Sequence, residues 1–493
     1  MKIEGNLQSE VVSITEDSRQ VKPGSVFVAI KGEHQDGHQF VMQAQIQGAV
    51  GVVVEEDVVG GLESSQGGKS SAVIRVKNSR KTLGLLAARI HGIPSAQLKM
   101  IGVTGTNGKT TVTHLAKSLL EVQGHQVGLL GTVGYVFGKE IRVASHTTPA
   151  PVELQDMLRA MVNAGMEIAV MEVSSHALAL DRVAGCEFDI VVFTNLTQDH
   201  LDFHHTMEDY FQAKLRLFTE YVDRRQKAGP KRALINADDE RAPIILRHCS
   251  IPTWTFGLHA KADIQAKAIY LSLGETHFLV NSPLGQLTIT SRLVGEHNVS
   301  NMLAAIGIGL EMGMTIPMIE RAVQSVSNVP GRFERIDAGQ AFTVVVDYAH
   351  TEDALYRLLR AAKDIKQGRI ITLFGCGGDR DSGKRPKMGQ VAARHSDLVI
   401  VTSDNPRTEN PQTILTQIEQ GIQSLPPEER CPYRIIPDRA EAIYAAVAEA
   451  KARDLVLIAG KGHEDYQVIG TKKNHFDDRE EARKAIHQLM SCR

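Results

Sequence analysis

The chain has 493 residues, long enough for roughly three domains that each bury a core. Its 55 Lys and Arg stand against 57 Asp and Glu, so no net field recruits nucleic acid or an anionic membrane, and recognition must be local. Cys186, Cys249, Cys376, Cys431 and Cys492 are scattered, odd in number and never in C-x-x-C spacing, which argues against a disulfide frame or a zinc site. With no N-terminal signal pattern and no uncharged apolar run of about 18 residues, the sequence points to a cytoplasmic protein that does not insert in a membrane.

Residues 1–98 alternate short apolar runs (26–30, 50–54, 72–76) with Gly-rich turns and one helix near 82–91, which predicts a small α/β domain. Within it Asp17-Ser18-Arg19, followed by Pro23-Gly24-Ser25, puts a hydroxyl and a guanidinium on a loop. The boundary falls at 93–98, on Pro94 and the strand that follows.

Residues 100–124 read as a strand, a glycine-rich turn and a helix whose Val112, Leu115, Ala116, Leu119 and Leu120 recur at helical spacing up to a stop at Gly124. Such a turn aims backbone N–H groups and a positive helix N-terminus at one point, which suits phosphate. The strict phosphate-loop pattern wants glycine at Val103; the shorter form Gly105-x-x-Gly108-Lys109-Thr110 stands here. Lys109 would reach the outer phosphates and Thr110 would ligate magnesium, with ATP the favoured nucleotide.

Strands and helices alternate to residue 331, predicting a mainly parallel sheet covered on both faces, with ligands beyond the carboxyl ends of its strands. Two polar clusters fall at such ends: 168–171 runs into Glu172-Val173-Ser174-Ser175-His176, and 190–193 runs into a segment holding Asp199 and His200. Glu172 and His200 together suit a divalent metal beside phosphate. Lys214, on an amphipathic helix over 209–218, reads by itself as a surface lysine. Asn236-Ala237-Asp238-Asp239 could meet a ribose or base. Asn298 and Asn301, at a helix start, either touch adenine or only cap.

Beyond Pro330-Gly331-Arg332 five more strands are predicted, at 343–347, 370–374, 398–402, 433–436 and 455–459, a Rossmann-like layer without a nucleotide fingerprint. Their ends carry Asp347-Tyr348-Ala349-His350, Asp379-Arg380-Asp381, Asp404-Asn405-Pro406-Arg407 and Gly460-Lys461-Gly462-His463-Glu464. Four charged ends on one edge suit a zwitterion, with arginine forks for carboxylate and acid groups for amine.

Taken together, 104–111, 172–176, 195–204, 295–301, 330–334 and 347–350 resemble the motifs of the Mur ligases, ATP-dependent amide-forming enzymes of bacterial cell-wall precursor synthesis, in order and spacing over essentially the whole chain. The Asp404-to-Arg407 loop is similar to that of members that add meso-diaminopimelate to UDP-N-acetylmuramoyl-L-alanyl-D-glutamate; lysine-adding members lack the arginine. The resemblance implies three domains: 1–98 for the UDP-sugar peptide, a central P-loop ATPase-like 99–331 for ATP, and 332–493 for the amino acid.

It implies ATP at Gly105, Thr106, Asn107, Gly108, Lys109, Thr110 and Thr111, with Asn298, Arg332 and His350 nearby. It implies magnesium near Thr110, Glu172 and His200, and a carbamylated Lys214 supporting a second metal. The UDP-sugar peptide is expected at Ser18, Thr147, Thr148, Ser174 and Arg182, and diaminopimelate at Arg380, Asp404, Asn405, Pro406, Arg407, Gly460 and Glu464. Catalysis is expected from Lys109, Lys214, His200 and His350, acting on an acyl phosphate in a monomer whose third domain swings onto the central one. Gln198, Leu180, His146 and Glu352 depart from frequent family residues, Leu180 at a substrate contact. The same reaction with L-lysine or another diamino acid is the alternative, and folylpolyglutamate synthase, with a similar phosphate loop, the more distant one.

Overall fold

The computed structural model describes residues 2–4, 9–32, 35–55, 71–222, 227, 229–272 and 274–491; Cys492 lies outside them. Three sheets account for most of it. The first runs Lys2–Glu4, Ala72–Arg75, Gly51–Val54, Ser25–Val28, Ser13–Thr15, parallel except at the Lys2–Glu4 edge. Helix Ser79–Ile90, capped by the Asn78 side chain, buries Leu83 and Ala87 against Ile14, Val26, Val28 and Val53.

The central sheet has eleven strands. Lys99–Thr104, Ile168–Glu172 and Ile190–Phe193 lie side by side and parallel at its middle. Their near-continuous apolar runs follow from burial on both faces. Ile101, Val103, Val170 and Val192 point into one core, with helices Lys109–Val122 and Glu296–Glu311. The alternate residues Met100, Ala169, Met171 and Phe193 point into the other, with Pro151–Asn163 and Met207–Thr219. At the two edges the sheet departs from the expected strand–helix alternation. Gly134–Phe137 and Glu140–Arg142 add antiparallel strands beside Val127–Gly131, and Thr276–Ser282 and Gly285–Ser291 do so beyond Ile264–Leu271. In Thr276–Ser282 and Gly285–Ser291 fully buried residues alternate with less buried ones, the pattern of strands covered mainly on one face.

The third sheet contains the five expected strands, in the order Thr343–Asp347, Leu455–Ala459, Ile370–Phe374, Leu398–Val401, Tyr433–Ile435, all parallel. Two additions were not expected: the antiparallel edge Glu334–Ile336 and a hairpin, Tyr466–Ile469 with Lys472–His475. Arg439 and Asp478, both fully buried, join helix Arg439–Glu449 to helix Asp478–Ser491 through two contacts of 2.7 Å. The four described cysteines are free, and no described helix is long and apolar enough to cross a membrane.

Candidate active site

The loop after Lys99–Thr104 turns at Gly105 (φ +144°) and Gly108 (φ +88°) before the helix starts at Lys109. Both glycines are forced by crowding as well as by φ, because a Cβ at Gly105 would strike the Thr194 hydroxyl and one at Gly108 the Asn301 amide. The neighbouring strand end holds the loop's shape: Thr194 Oγ1 donates to Asn107 O (2.6 Å), and Asn107 N donates to Asn195 Oδ1 (3.0 Å). Lys109 folds over the turn, its Nζ 3.0 Å from Gly105 O and 2.8 Å from Thr106 O. Burial lowers its pKa, against Glu172 and Asp199.

Glu172 is 1% exposed and sits where several segments meet. Its Oε1 accepts from Thr110 Oγ1 (3.0 Å) and Thr132 N (2.9 Å), its Oε2 from Thr132 Oγ1 (3.0 Å). His200 (φ +55°) presents its ring beside Asp199, 3.3 Å away, and edge-on to His176. Desolvation in the cleft wall pushes its pKa down to about 3 against the pull of Asp199, so the ring is neutral at pH 7. Thr110 hydroxyl, Glu172 carboxylate and neutral His200 imidazole line one cavity, a donor set that fits magnesium. No described group of three His, Cys, Asp or Glu could hold a metal unaided, and magnesium is normally completed by phosphate oxygens and water.

Lys214 is not the surface lysine its helix suggested. It is 1% exposed and lines neither cavity described below. Its Nζ reaches Gly105 O from behind the loop at 2.7 Å and lies 4.3 Å from the centre of the Tyr210 ring. Burial, and then the charge of Lys109, hold its pKa well below 10.5. An uncharged amine at this place is what carbamate formation requires.

The third domain closes the site. Arg332 Nη2 donates to Thr110 Oγ1 (3.1 Å) with its guanidinium over the Tyr348 ring, and Asn107 Nδ2 donates to Asp353 (2.9 Å). Asp347 accepts from the Phe333 and Ala349 amides, which fixes the turn carrying His350. Burial brings the His350 pKa to about 4. Asn298 and Asn301 do not cap the helix start, which has Gly295 at its N-cap and no side-chain cap; Asn298 Nδ2 donates to Val294 O (2.8 Å), Asn301 donates to Asn298 Oδ1 (3.2 Å), and both line the cavity.

That cavity, of 220 Å³, is walled by 106–111, Glu172, His200, Asn298, Arg332 and His350. A second, of 750 Å³, holds Thr147, Thr148, Ser174 and Arg182 on the central side, and Arg380, Asp404, Asn405, Arg407, Gly460 and Glu464 on the third domain. Thr132, Thr147, Asp199, His200, Tyr348 and His350 line both, so the two spaces share one wall. Four expected residues line neither space: Gly105 at the root of the loop, Lys214 behind it, Ser18 and Pro406. Ser18, on the short helix Ser18–Gln20, does not line the cleft, and neither does Pro406, whose role is to carry the chain past Gly378.

Sequence reasoning passed over Lys461, which is fully buried and ties together the third-domain side of the larger cavity. Its Nζ lies 3.0 Å from Asn405 Oδ1, 3.3 Å from Asp404 and 3.5 Å from Glu464. Burial raises the Asp404 carboxyl, but Lys461 and Arg439 outweigh it and leave the pKa lowered; burial and Asp404 raise that of Glu464. The signal was its place in the charged strand end that also supplies Gly460 and Glu464.

Three family descriptions match the chain in sequence order: the Mur ligase family catalytic domain over residues 10–91, the Mur ligase middle domain over 103–309, and the Mur ligase glutamate ligase domain over 331–462. A UDP-N-acetylmuramoyl-L-alanyl-D-glutamate–2,6-diaminopimelate ligase of Bacillus cereus is 43% identical over 97% of this chain and 94% of its own. The chain belongs to the Mur ligase family.

Within the Mur ligases, a protein of the same name from Thermosynechococcus vestitus is 47% identical over 98% of the chain and 95% of its own. A solved structure of such a ligase superposes with a TM-score of 0.69 at 33% identity, over 97% of this chain and 95% of that one. MurF from Thermotoga maritima, solved in complex with ADP, shares the fold at 20% identity, with a TM-score of 0.60 over 100% of this chain and 99% of that one.

Proposed function

We propose that the chain is an ATP-dependent ligase that adds meso-diaminopimelate to UDP-N-acetylmuramoyl-L-alanyl-D-glutamate, releasing ADP and phosphate in peptidoglycan precursor synthesis, on which cell shape and division depend. The observation that carries this reading is the wall shared by the two cavities, with a glycine-rich loop on one side and a pocket lined by Arg380, Arg407, Asp404 and Glu464 among other charged groups on the other. The full-length similarity to proteins named for that reaction supports the same substrates.

In this reading the substrate's D-glutamate γ-carboxylate attacks the γ-phosphorus of ATP, and the amine displaces phosphate from the resulting acyl phosphate. A carboxylate is otherwise a poor acyl donor. The chain supplies position and charge rather than a nucleophile. Lys109 neutralises the outer phosphates, and Arg332, held against Thr110, brings a second cation from the third domain. Magnesium, held by Thr110, Glu172 and His200, would supply Lewis-acid neutralisation of the phosphate oxygens, with carbamylated Lys214 behind the loop for a second ion. Neutral His200 and His350 each offer one ring N–H donor and one ring-nitrogen acceptor in the shared wall.

Thr147, Thr148, Ser174 and Arg182 hold the sugar-peptide, with residues 1–98 as its further binding domain and Ser18 away from the reacting centre. Residues 99–331 bind ATP and 332–493 the amino acid. Arg380 and Arg407 favour diaminopimelate over lysine, because only the former has a second carboxylate for a guanidinium fork. The protein acts as a cytoplasmic monomer. The deciding experiment is ADP release with the UDP-linked dipeptide, with and without meso-diaminopimelate, the product identified by mass. Release that does not need the amino acid, or equal use of L-lysine, would overturn the substrate assignment.

A further inference from the structure

Arg380 and Arg407 stand on two different loops, 375–383 and 404–410, and neither side chain is held in place by an acid. Arg380 Nη1 donates to Asp379 O (2.9 Å) and Arg407 Nη1 to Gly378 O (2.7 Å). Both loops are locally unfavourable. Asp379 has φ +54° and Arg407 φ +52°, in the region that favours glycine. They also meet backbone to backbone: Gly378 N donates to Asn405 O (2.9 Å), and a Cβ at Gly378 would strike Pro406 O.

What over-determines this arrangement is an ion pair behind the pocket. Arg385, at the start of helix Lys384–His395, is 1% exposed and forks onto Glu409, with Nη1 to Oε2 and Nη2 to Oε1 both at 2.8 Å. The same guanidinium donates to Gly377 O (3.1 Å) and to Gln417 Oε1 (2.7 Å). Glu409 Oε1 in turn accepts the Asp379 amide, and Asp379 takes the Thr408 amide (3.1 Å) and hydroxyl (2.8 Å). Each loop is thereby tied to the other through one bidentate pair.

The geometry points to Arg385 and Glu409 as positioning residues that set the spacing of Arg380 and Arg407, and so determine specificity for an amino acid with two separated carboxylates. This rests on the diaminopimelate reading of the pocket. Neither residue lines the cleft, so the effect passes through the loops they join. Glu409 is lowered in pKa chiefly by its hydrogen bonds from Arg385, so its carboxylate is ionised at neutral pH.

The test is Glu409→Gln, which keeps shape but removes the charge and one acceptor, with Arg385→Lys as the second variant, which keeps charge but loses the fork. With the full chain and all three substrates, KM for meso-diaminopimelate should rise about tenfold, the factor for one charge-assisted hydrogen bond. KM for ATP and kcat at saturation should stay within about twofold, and the preference for diaminopimelate over L-lysine should shrink by a comparable factor. Equal loss for all three substrates, or an unchanged diaminopimelate-to-lysine ratio in both variants, overturns the inference. A wild-type protein that does not use diaminopimelate overturns instead the reading on which it rests, and that result is visible before any variant is made.

Discussion

Lys214 allows the burial argument to be tested apart from turnover. In the folded protein its amine is wholly enclosed, its closest polar partner is Gly105 O at 2.7 Å, and the neighbouring charge that most affects it is another lysine. The perturbation is Lys214→Met, which keeps the length of the side chain and removes the amine. In the unfolded chain the amine holds a proton at any pH below its ordinary 10.5, whereas the folded amine has released it well below that value. Across the window between the two, the unfolded state carries one proton more, so stability from this group rises with pH and is lost as pH falls towards the folded pKa. The slope for one proton is at most about 1.4 kcal/mol per pH unit, so between the lowered folded pKa and the unfolded one the wild type should gain stability relative to the variant as pH rises, at up to that rate.

The single tryptophan, Trp254, lies on strand Thr253–Gly257 of the same sheet, so its fluorescence during urea unfolding reports the domain in question. Wild-type and variant stabilities that run parallel with pH in carbonate-free buffer would refute the uncharged amine. The chemical consequence follows in the same samples: bicarbonate should stabilise the wild type and not Lys214→Met, with a carbamate carbon visible by ¹³C NMR. The variant should lose ligase activity and regain part of it with short carboxylates.

Three further outcomes are expected. Lys109→Ala should lower phosphate release with both substrates present by about 10²–10³ or more, as for a lost transition-state donor, and retained turnover would remove the phosphate-loop assignment. Arg407→Ala should raise KM for meso-diaminopimelate about tenfold or more with little change for ATP; equal loss for both contradicts the pocket. Asp478→Asn leaves Arg439 buried without its counter-charge and should cost about 3–5 kcal/mol in the third domain, read as a lowered calorimetric transition. A shift near zero there would mean the pair is not buried in solution.

The middles of the sheets were legible because their strands are buried on both faces and read as plain apolar runs, and because the phosphate loop is continuous in sequence. The hairpins at 134–142, 276–291 and 466–475 were not, since their apolar runs are no longer than three residues and are broken by polar or charged neighbours. Lys214 was readable in principle. It falls three and four positions from Phe211 and Tyr210, and three and four from Leu217 and Phe218, which places it within the apolar stripe of its own helix rather than on the wet face. Contacts such as Asn107 with Asp353 and Arg332 with Thr110 join positions more than two hundred residues apart. No local pattern encodes them, and they are what turns two strand-end clusters into one site.

Glu172 shows why that matters for the chemistry. Its two oxygens take the hydroxyl of Thr110 and both donors of Thr132, Thr132 in turn reaches Thr147 (3.0 Å) in the wall shared by the two cavities, and Arg332 completes the Thr110 side from the third domain. An aspartate, one methylene shorter, would keep the charge and lose the span between Thr110 and Thr132. The carboxylate is therefore placed by the glycine-rich loop through Thr110, by the segment around Thr132 that borders both cavities and, through Arg332, by the third domain. Any change that separates these segments alters the position of Glu172 itself.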